Sequence, residues 1–598
     1  MTASLRIGCA SGFWGDSFTA APQLVARGDL DYLVFDYLAE ITMSIMARSR
    51  QQDPALGFAH DFVSVTMAGI VRDVAAQGIK VIANAGGVNP AACAAALESL
   101  LAAQGMALKV AYVEGDDVLP DLARWRAQGV REMDSGAPLP ARPLSMNVYL
   151  GAFPIADALA MGADIVITGR CVDSAVTLGA CIHEFGWKPW DVDRLAAGSL
   201  AGHIIECGAQ ASGGIFTDWQ DVPGWEDIGY PIVEVQADGS FVVTKPAGTG
   251  GLVSIGTVSE QLVYEIGDPQ AYMLPDVVCD FSGVKLELAD EHRVRVSNAK
   301  GRPPTSTYKC STTWEDGYRI GHLLCIGGID AGAKARRTGT AVLARVEAML
   351  RDRGSEPFTE ACIEVLGAED SYGAHRQAMV PREVVLRLAA SHPRKEPLQL
   401  LMRELTSAIT SFAPGTAMYV DARPKALPIV RHFSCLIAKQ EVDVSVTCGG
   451  LRRPCSIETA GGFDPRSIVR PRVELPIGVT SRTVPLVRLA FARSGDKGNH
   501  SNIGVVARRP EYLGYIRAAL TEGAVAAWMA HVFHGRGRVE RFDLPGIGAL
   551  NFLLHDALAG GGTASLRHDP QGKALAQQLL EFPVPVTEAI AREVTGGI

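Results

Sequence analysis

"KVIANAGGVNPAACAAALESLLAAQGMALKVAYVEG", residues 80–115, holds two short apolar runs separated by one Ala-rich segment. The runs "KVIANAG" and "KVAYVEG" read as buried strands, and "PAACAAALESLLAAQG" between them reads as a helix. Pro90 suits the first helical position, with Asn89 as its cap. A strand, a helix and a second strand at this spacing predict parallel pairing, because two strands joined through a helix cross over. The same texture extends outward on both sides. "LRIGCA", "YLVFDYL" and "ADIVITG" are further strand candidates, and "FVSVTMAGIVRDVAAQG" is a further helix. The first 220 residues or so therefore predict an α/β body: a mostly parallel sheet with helices on both faces. Each strand runs into a polar or glycine-containing loop, so ligands are expected at the carboxyl edge of the sheet.

From about Pro231 the texture changes. "PIVEVQADGSFVVTKPAGTGG" reads as a hairpin turning at Asp238-Gly239, and antiparallel strands continue to about residue 330. Helical pattern is expected again at "GTAVLARVEAMLRDRG" and "PREVVLRLAASH", so the β-rich section 231–330 reads as an antiparallel insertion within a body spanning 1–454. Residues 455–484 are rich in Pro and Arg and lack periodicity, as a linker does. The segment 485–592 mixes strands and helices over a length that suits a small α+β domain.

With 598 residues the chain is too long for one ordinary core. Charged residues make up 20% and the formal charge is −9, which disfavours a nucleic-acid surface while leaving room for a local anion pocket. No apolar run approaches a membrane span, and the first residues lack the pattern of a signal peptide. The 12 cysteines show no C-x-x-C spacing, so a cytoplasmic location with reduced thiols is expected. No nicotinamide cofactor and no catalytic metal are expected: the first βα loop, "GCASGFWGDS", lacks the G-x-G-x-x-G spacing, and the cysteines lack zinc spacing.

The densest chemistry lies in residues 167–214. Arg170 follows the strand "DIVIT", where a guanidinium can hold a carboxylate or phosphate. Asp173 reads either as the cap of the next helix or as a general acid/base. His203 and Glu206 share a face if "LAGHIIECGAQ" is helical, and Cys207 is either a buried thiol or an accessible one. Gly213 and Gly214 either make a turn or aim backbone N–H groups at a developing oxyanion. Asn84, Gly86 and Gly87 would line the cleft from the loop "NAGGVNP". Two basic glycine loops are candidate anion sites: Lys245 in "TKPAGTGG", and Arg493, Ser494, Asp496, Lys497 and Asn502 around Gly495 and Gly498. For each the alternative is a surface loop with ordinary charges.

Taken together, "GFWGDS", "ANAGGVNP", "ITGRCVDSA", "HEFGW", "LAAGSLAGHIIECGAQASGG", "TKPAGTGG", "EQLVYEIGDP" and "ARSGDKGNHSNIG" resemble, in this order, the acyclic terpene utilization protein A (AtuA) family over nearly the whole chain. The resemblance implies a large α/β body followed by a ferredoxin-like α+β C-terminal domain. It implies a place in bacterial breakdown of citronellol and geraniol through acyl-CoA intermediates, with no assigned catalytic residues. The expected ligand is then a small-molecule acyl-CoA ester, with CoA as part of the substrate, no separate cofactor, and a homo-oligomeric assembly. The pathway that the resemblance implies calls for cleavage of a 3-hydroxy-3-isohexenylglutaryl-CoA-type thioester, which is the reaction expected here. It needs a base, met by Asp173 or Glu206, an anion binder, met by Arg170, and enolate stabilisation, met by the Gly213–Gly214 backbone. Hydration, thioester hydrolysis, or a non-catalytic acyl-CoA-binding or assembly subunit are the alternatives.

Limited proteolysis of the native protein is expected to cut first between residues 455 and 485; cutting elsewhere, with this segment protected, would remove the boundary.

Overall fold

The computed structural model describes residues 4–595 apart from 378–379, 421–423, 471–472, 474, 476, 534 and 536. Of the expected linker, 471, 472, 474 and 476 thus lie outside the described residues.

The body is organised by an 11-stranded sheet. Its parallel centre runs Leu5–Cys9, Tyr32–Phe35, Lys80–Ala83, Ile165–Ile167 and Val110–Glu114 in spatial order. Each strand is apolar on both faces because each face meets its own core. Ile7, Ile82 and Val166 point into one cluster with the helices Ala175–Phe185 and Val192–Ile205. Leu33, Val81 and Ile165 point into the other, with Ala20–Arg27, Ala68–Gln77 and Pro90–Ala103. Pro90 opens its helix with Asn89 at the N-cap position as expected, but the Asn89 side chain makes no capping hydrogen bond; its amide donates to the carbonyls of Pro54 and Leu56, at 3.0 and 2.8 Å.

The antiparallel strands of the β-rich section add to this same sheet. Ile232–Val235 pairs antiparallel with Leu5–Cys9, and Phe241–Thr244, Arg293–Ser297 and Lys285–Asp290 follow outward. The turn at Asp238-Gly239 forms as expected, with Gly239 at φ 94°.

A second, six-stranded sheet is built on the long strand Thr307–Gly327, joined by Pro143–Val148, Glu360–Leu366, Glu383–His392, Thr416–Met418 and Leu427–Ala438. The helices Ala331–Asp352 and Lys395–Ser411 cover it. The helical expectation for "PREVVLRLAASH" is corrected here: Glu383–His392 is a strand between two neighbours. Val384, Leu386, Leu388 and Ala390 alternate into the core, and period two, not 3.6, decides the element.

The C-terminal segment forms a four-stranded antiparallel sheet in the order Ala490–Lys497, His500–Ala507, Ala549–His555, Arg538–Leu544. Its own apolar cluster includes Leu489, Ile503, Ile516, Phe552 and Leu579. The domain is bolted to the body by polar groups. Arg493 and Glu260, 3% and 0% exposed in their side chains, form an ion pair at 2.8 Å. Arg508 grips Asp218 with two nitrogens, at 2.5 and 2.6 Å. Asn502 donates to the carbonyl of Val263 at 2.7 Å and accepts from the Glu265 N–H at 2.9 Å.

Removing one partner of a buried pair strands the other charge in a low dielectric, at about 3–5 kcal/mol. Glu260→Ala is therefore expected to destabilise the protein by that amount in urea unfolding, and a change below about 1 kcal/mol would show that the pair is not what joins the domains.

Candidate active site

The loops that leave the parallel strands after Cys9, Phe35, Ala83 and Ile167 converge at one edge of the sheet. Their close approach depends on absent side chains. A Cβ on Gly12 would lie 2.6 Å from the Gly208 nitrogen, and one on Gly86 would lie 2.5 Å from the Thr168 carbonyl oxygen. Ionisable residues fill the space left at this edge.

Arg170 is 4% exposed. One terminal nitrogen donates to Asp173 at 2.7 Å and to the Cys171 carbonyl at 2.9 Å, and the group lies 4.2 Å over the Tyr149 ring. Asp173 consequently does not cap the next helix, whose N-cap is Ser174. Its carboxylate belongs to Arg170, and its side chain is 39% exposed amid buried neighbours. The charge of Asp173 acts on Asp36, Glu206, Cys207, Tyr149 and Tyr272, so these groups surround one locus.

Glu206 ends the helix Val192–Ile205, and its carboxyl is hydrogen-bonded to His203 Nδ1 at 3.0 Å. His203 is 1% exposed, its other ring nitrogen has no protein partner, and its ring packs against Tyr272. Burial pushes the Glu206 carboxyl up, His203 draws it back, and Asp173 pushes it further up. Asp36, held by the Asn84 amide, is likewise pushed well up by burial and then by Asp173. Asn84 in turn accepts from the Tyr37 N–H at 2.6 Å; it positions Asp36 and is itself fully buried. Gly86 and Gly87 close this loop against Thr168 and Asn84 through their own N–H groups. Asp116, behind Arg170, accepts from the Arg170 N–H and the Asn147 amide, each at 2.8 Å. Burial raises it to about 7 against those hydrogen bonds.

The cluster borders a cleft of about 930 Å³ between the body and the C-terminal domain. Glu40 lines it and accepts from the Tyr149 hydroxyl at 3.0 Å. Although burial pushes Glu40 up, Lys309, His432 and Arg170 pull it down to about 2. Lys309 and His432 line the same wall, and Asp496 and Lys497 line the opposite one. The Lys497 ammonium lies 5.9 Å from the Tyr272 ring centre and acts on Glu206, which ties the cleft to the buried cluster.

Several expected roles are corrected. "ARSGDKGNHSNIG" is not an open anion nest. Arg493 to Lys497 lie in the edge strand of the C-terminal sheet, paired on one side with His500–Ala507, and that ladder takes up alternate backbone N–H groups. Arg493 faces Glu260, Gln210, Gln261 and the Gly214 carbonyl, so its hydrogen bonds join the C-terminal domain to the body. Ser494 bonds the Gly572 carbonyl and the Ala576 N–H, and Asn502 is the clamp described above. Gly213 and Gly214 direct their N–H groups to the carbonyls of Gln210 and Ala209, at 3.2 and 2.8 Å, which leaves none for an oxyanion. Lys245 donates to the Thr249 carbonyl in its own loop at 2.7 Å, and its charged neighbours are Glu291 and Asp227, none of which lines the cleft. Cys207 lies in the cluster, but burial and then the Glu206 and Glu265 charges push its thiol well up, away from thiolate chemistry.

The structure thus gathers Arg170, Asp173, His203, Glu206, Cys207, Asn84 and Lys497, and sets Lys245, Arg493, Ser494 and Asn502 apart. It adds Asp36, Glu40, Tyr149, Tyr272, Lys309 and His432, which were not singled out. Asp36 carried a readable signal: a carboxylate directly after the buried run "YLVF". The others arrive from distant segments. Among the described residues, no three His, Cys, Asp or Glu groups are arranged to hold a metal ion, and no helix is long and apolar enough to cross a membrane.

A family model described as "Acyclic terpene utilisation family protein AtuA" matches residues 5–448, and one described as "AtuA ferredoxin-like domain" matches residues 484–585. No curated protein and no solved structure matches the chain.

Asp116 sets a pH signature. Its folded-state pKa lies above that of an unfolded aspartate, so the folded state binds the extra proton, and this contribution to stability is lost as pH rises from about 4 to about 7. Asp116→Asn keeps an acceptor for Arg170 and Asn147 without the charge. Its melting temperature relative to the unsubstituted protein is expected to climb across that window; a pH-independent difference would contradict the buried-carboxylate account.

Proposed function

The chain belongs to the acyclic terpene utilisation family, and from this we propose that it is an acyl-CoA-processing lyase that cleaves a carbon–carbon bond in a 3-hydroxy-3-isohexenylglutaryl-CoA-type thioester. The observation that supports this most is the buried cluster of the Arg170–Asp173 and His203–Glu206 pairs, linked through Tyr149–Glu40 and through Lys497 to a cleft of about 930 Å³ that Glu40 and Lys497 line.

Cleavage of this type begins when a base removes the proton of the tertiary hydroxyl. The alkoxide becomes a ketone as the adjacent carbon–carbon bond breaks, and the electron pair leaves as a thioester enolate, which is then protonated. Asp173 is the base in this reading. It is the accessible carboxylate of the cluster, and Arg170 fixes its orientation through a 2.7 Å hydrogen bond. Arg170 itself is too enclosed to be the ligand's anion binder, so that role passes to Lys309 and Lys497, whose side chains line the cleft. Lys497 also replaces the Gly213–Gly214 backbone as the positive group for the enolate oxygen. Glu206, pushed up by burial and held by His203, supplies a carboxyl that donates a hydrogen bond where Asp173 accepts one.

The test is incubation of the purified protein with a panel of acyl-CoA esters, read by mass spectrometry. Turnover is expected for a branched 3-hydroxy-glutaryl-type ester. Asp173→Asn is expected to lower turnover by about 10²–10⁴-fold with ester binding retained, while the melting temperature falls because Arg170 loses its charged partner. Binding of the esters without any turnover would overturn the lyase and favour a non-catalytic acyl-CoA-binding subunit.

A further inference from the structure

The hairpin made by Ala490–Lys497 and His500–Ala507 is clamped at its roots and projects its tip into the cleft. At the roots, Arg493 is locked to Glu260, Ser494 to Gly572 and Ala576, and Asn502 to Val263 and Glu265. The tip reverses through Gly498, at φ 64°, a left-handed conformation that suits a residue without a Cβ. Asp496 and Lys497 precede this turn and line the cleft opposite Glu40. The Asp496 carboxylate has weak hydrogen-bond support: Gln571 donates to it at a long 3.4 Å. Next to the hairpin, Glu265 holds a left-handed backbone at φ 54°, rare for a residue with a side chain. Its N–H is fixed by Asn502, and its charge acts on both Asp496 and Cys207, so it lies between the roof of the cleft and its floor.

We propose that Asp496, carried on the C-terminal domain beside Lys497, is the proton donor of this cleft, serving the reaction in which Asp173 of the body is the base. The inference rests on the thioester-cleavage reading above and completes its proton balance. Asp173 takes the hydroxyl proton, the carbon–carbon bond breaks, and the enolate carbon takes a proton from the Asp496 carboxyl to become a CH bond. Each turnover leaves Asp173 protonated and Asp496 ionised, and exchange with water through the open mouth of the cleft restores both.

The surroundings of Asp496 favour the protonated form. Burial pushes its carboxyl up, the charges of Glu265 and Glu40 push it further, Lys573 and Lys497 oppose them, and it reaches about 7. A group that must carry a proton works below its pKa, so activity is expected to fall as pH rises through about 7. The site then exists only when both domains are docked, which gives the buried Arg493–Glu260 pair a catalytic consequence through positioning.

The experiment measures pH–rate profiles of the full chain on the ester that the panel identifies, for the unsubstituted protein, Asp496→Asn, Asp496→Glu and Asp173→Asn. Melting temperatures serve as the folding control. Asp496→Asn is expected to lose about 10²–10⁴-fold in kcat with KM within a few-fold, and Asp496→Glu to recover part of the rate with a displaced basic limb. If Asp496→Asn retains the full rate and an unchanged basic limb while Asp173→Asn is inactive, the donor assignment is overturned and the lyase stands. If the unsubstituted protein turns over no ester, both are overturned.

Discussion

The buried pairing of Arg493 with Glu260 is the constraint on which the arrangement of this protein depends. A guanidinium and a carboxylate withdrawn from water carry a large desolvation cost, and they repay it only in one geometry. Here the geometry is over-determined: Gln210, Gln261 and the Gly214 carbonyl take further guanidinium hydrogens, and Thr217 donates its N–H to Glu260 at 3.0 Å. A sliding or tilting C-terminal domain would leave several of these groups unpaired at once. The domain is therefore held in a single pose, and the hairpin that begins at this clamp delivers Asp496 and Lys497 to a defined place above the body.

What lies beneath is an acid-rich locus that water does not freely reach. Asp36 and Glu206 are driven toward their neutral forms chiefly by burial, whereas Glu40, a short distance away, is driven the other way by Lys309, His432 and Arg170. The same residue type thus acquires opposite tendencies within one site, and the difference comes from which cations face each carboxyl. Arg170 stands at the centre of this sorting. Its side chain is set by Asp173 and the Tyr149 face, and its backbone N–H by Asp116, so its charge is felt from a fixed position. Tyr149 links it onward to Glu40 through a 3.0 Å hydrogen bond, which joins the interior to the cleft wall.

The parallel centre of the sheet was legible because its signal is local. "YLVFDYL", "KVIANAG" and "ADIVITG" are apolar on both faces, and a strand buried on both faces needs nothing more to declare itself. "PREVVLRLAASH" misled because Leu, Arg and Ala favour helices locally, while the alternation of Val384, Leu386, Leu388 and Ala390 matters only once neighbouring strands exist to receive it. The glycine loops misled for a related reason. Residue type announces that a backbone is permissive, but whether its N–H groups are free depends on what pairs with them. In "ARSGDKGNHSNIG" a strand ladder does, and at Gly213–Gly214 the turn itself does.

The sequence by itself determined the α/β body, the loop-bearing carboxyl edge of its sheet, and the concentration of ionisable groups between Arg170 and Cys207, since each of these follows from periodicity and composition over a short span. Only the tertiary structure decided which of those groups act together. It paired Asp173 with Arg170 in place of a helix end, and turned Arg493 from a ligand binder into a joint between domains. It also brought Glu40, Lys309 and Asp496 to the same cleft from segments hundreds of residues apart, with Tyr149 and Tyr272 behind them against Glu40 and Lys497. The physical reason is that charge and burial act through space. A carboxyl's protonation state is set by the cations and apolar atoms within a few ångströms of it, and the order of residues along the chain does not encode that neighbourhood until the sheets, the second domain and their buried ion pair have closed around it.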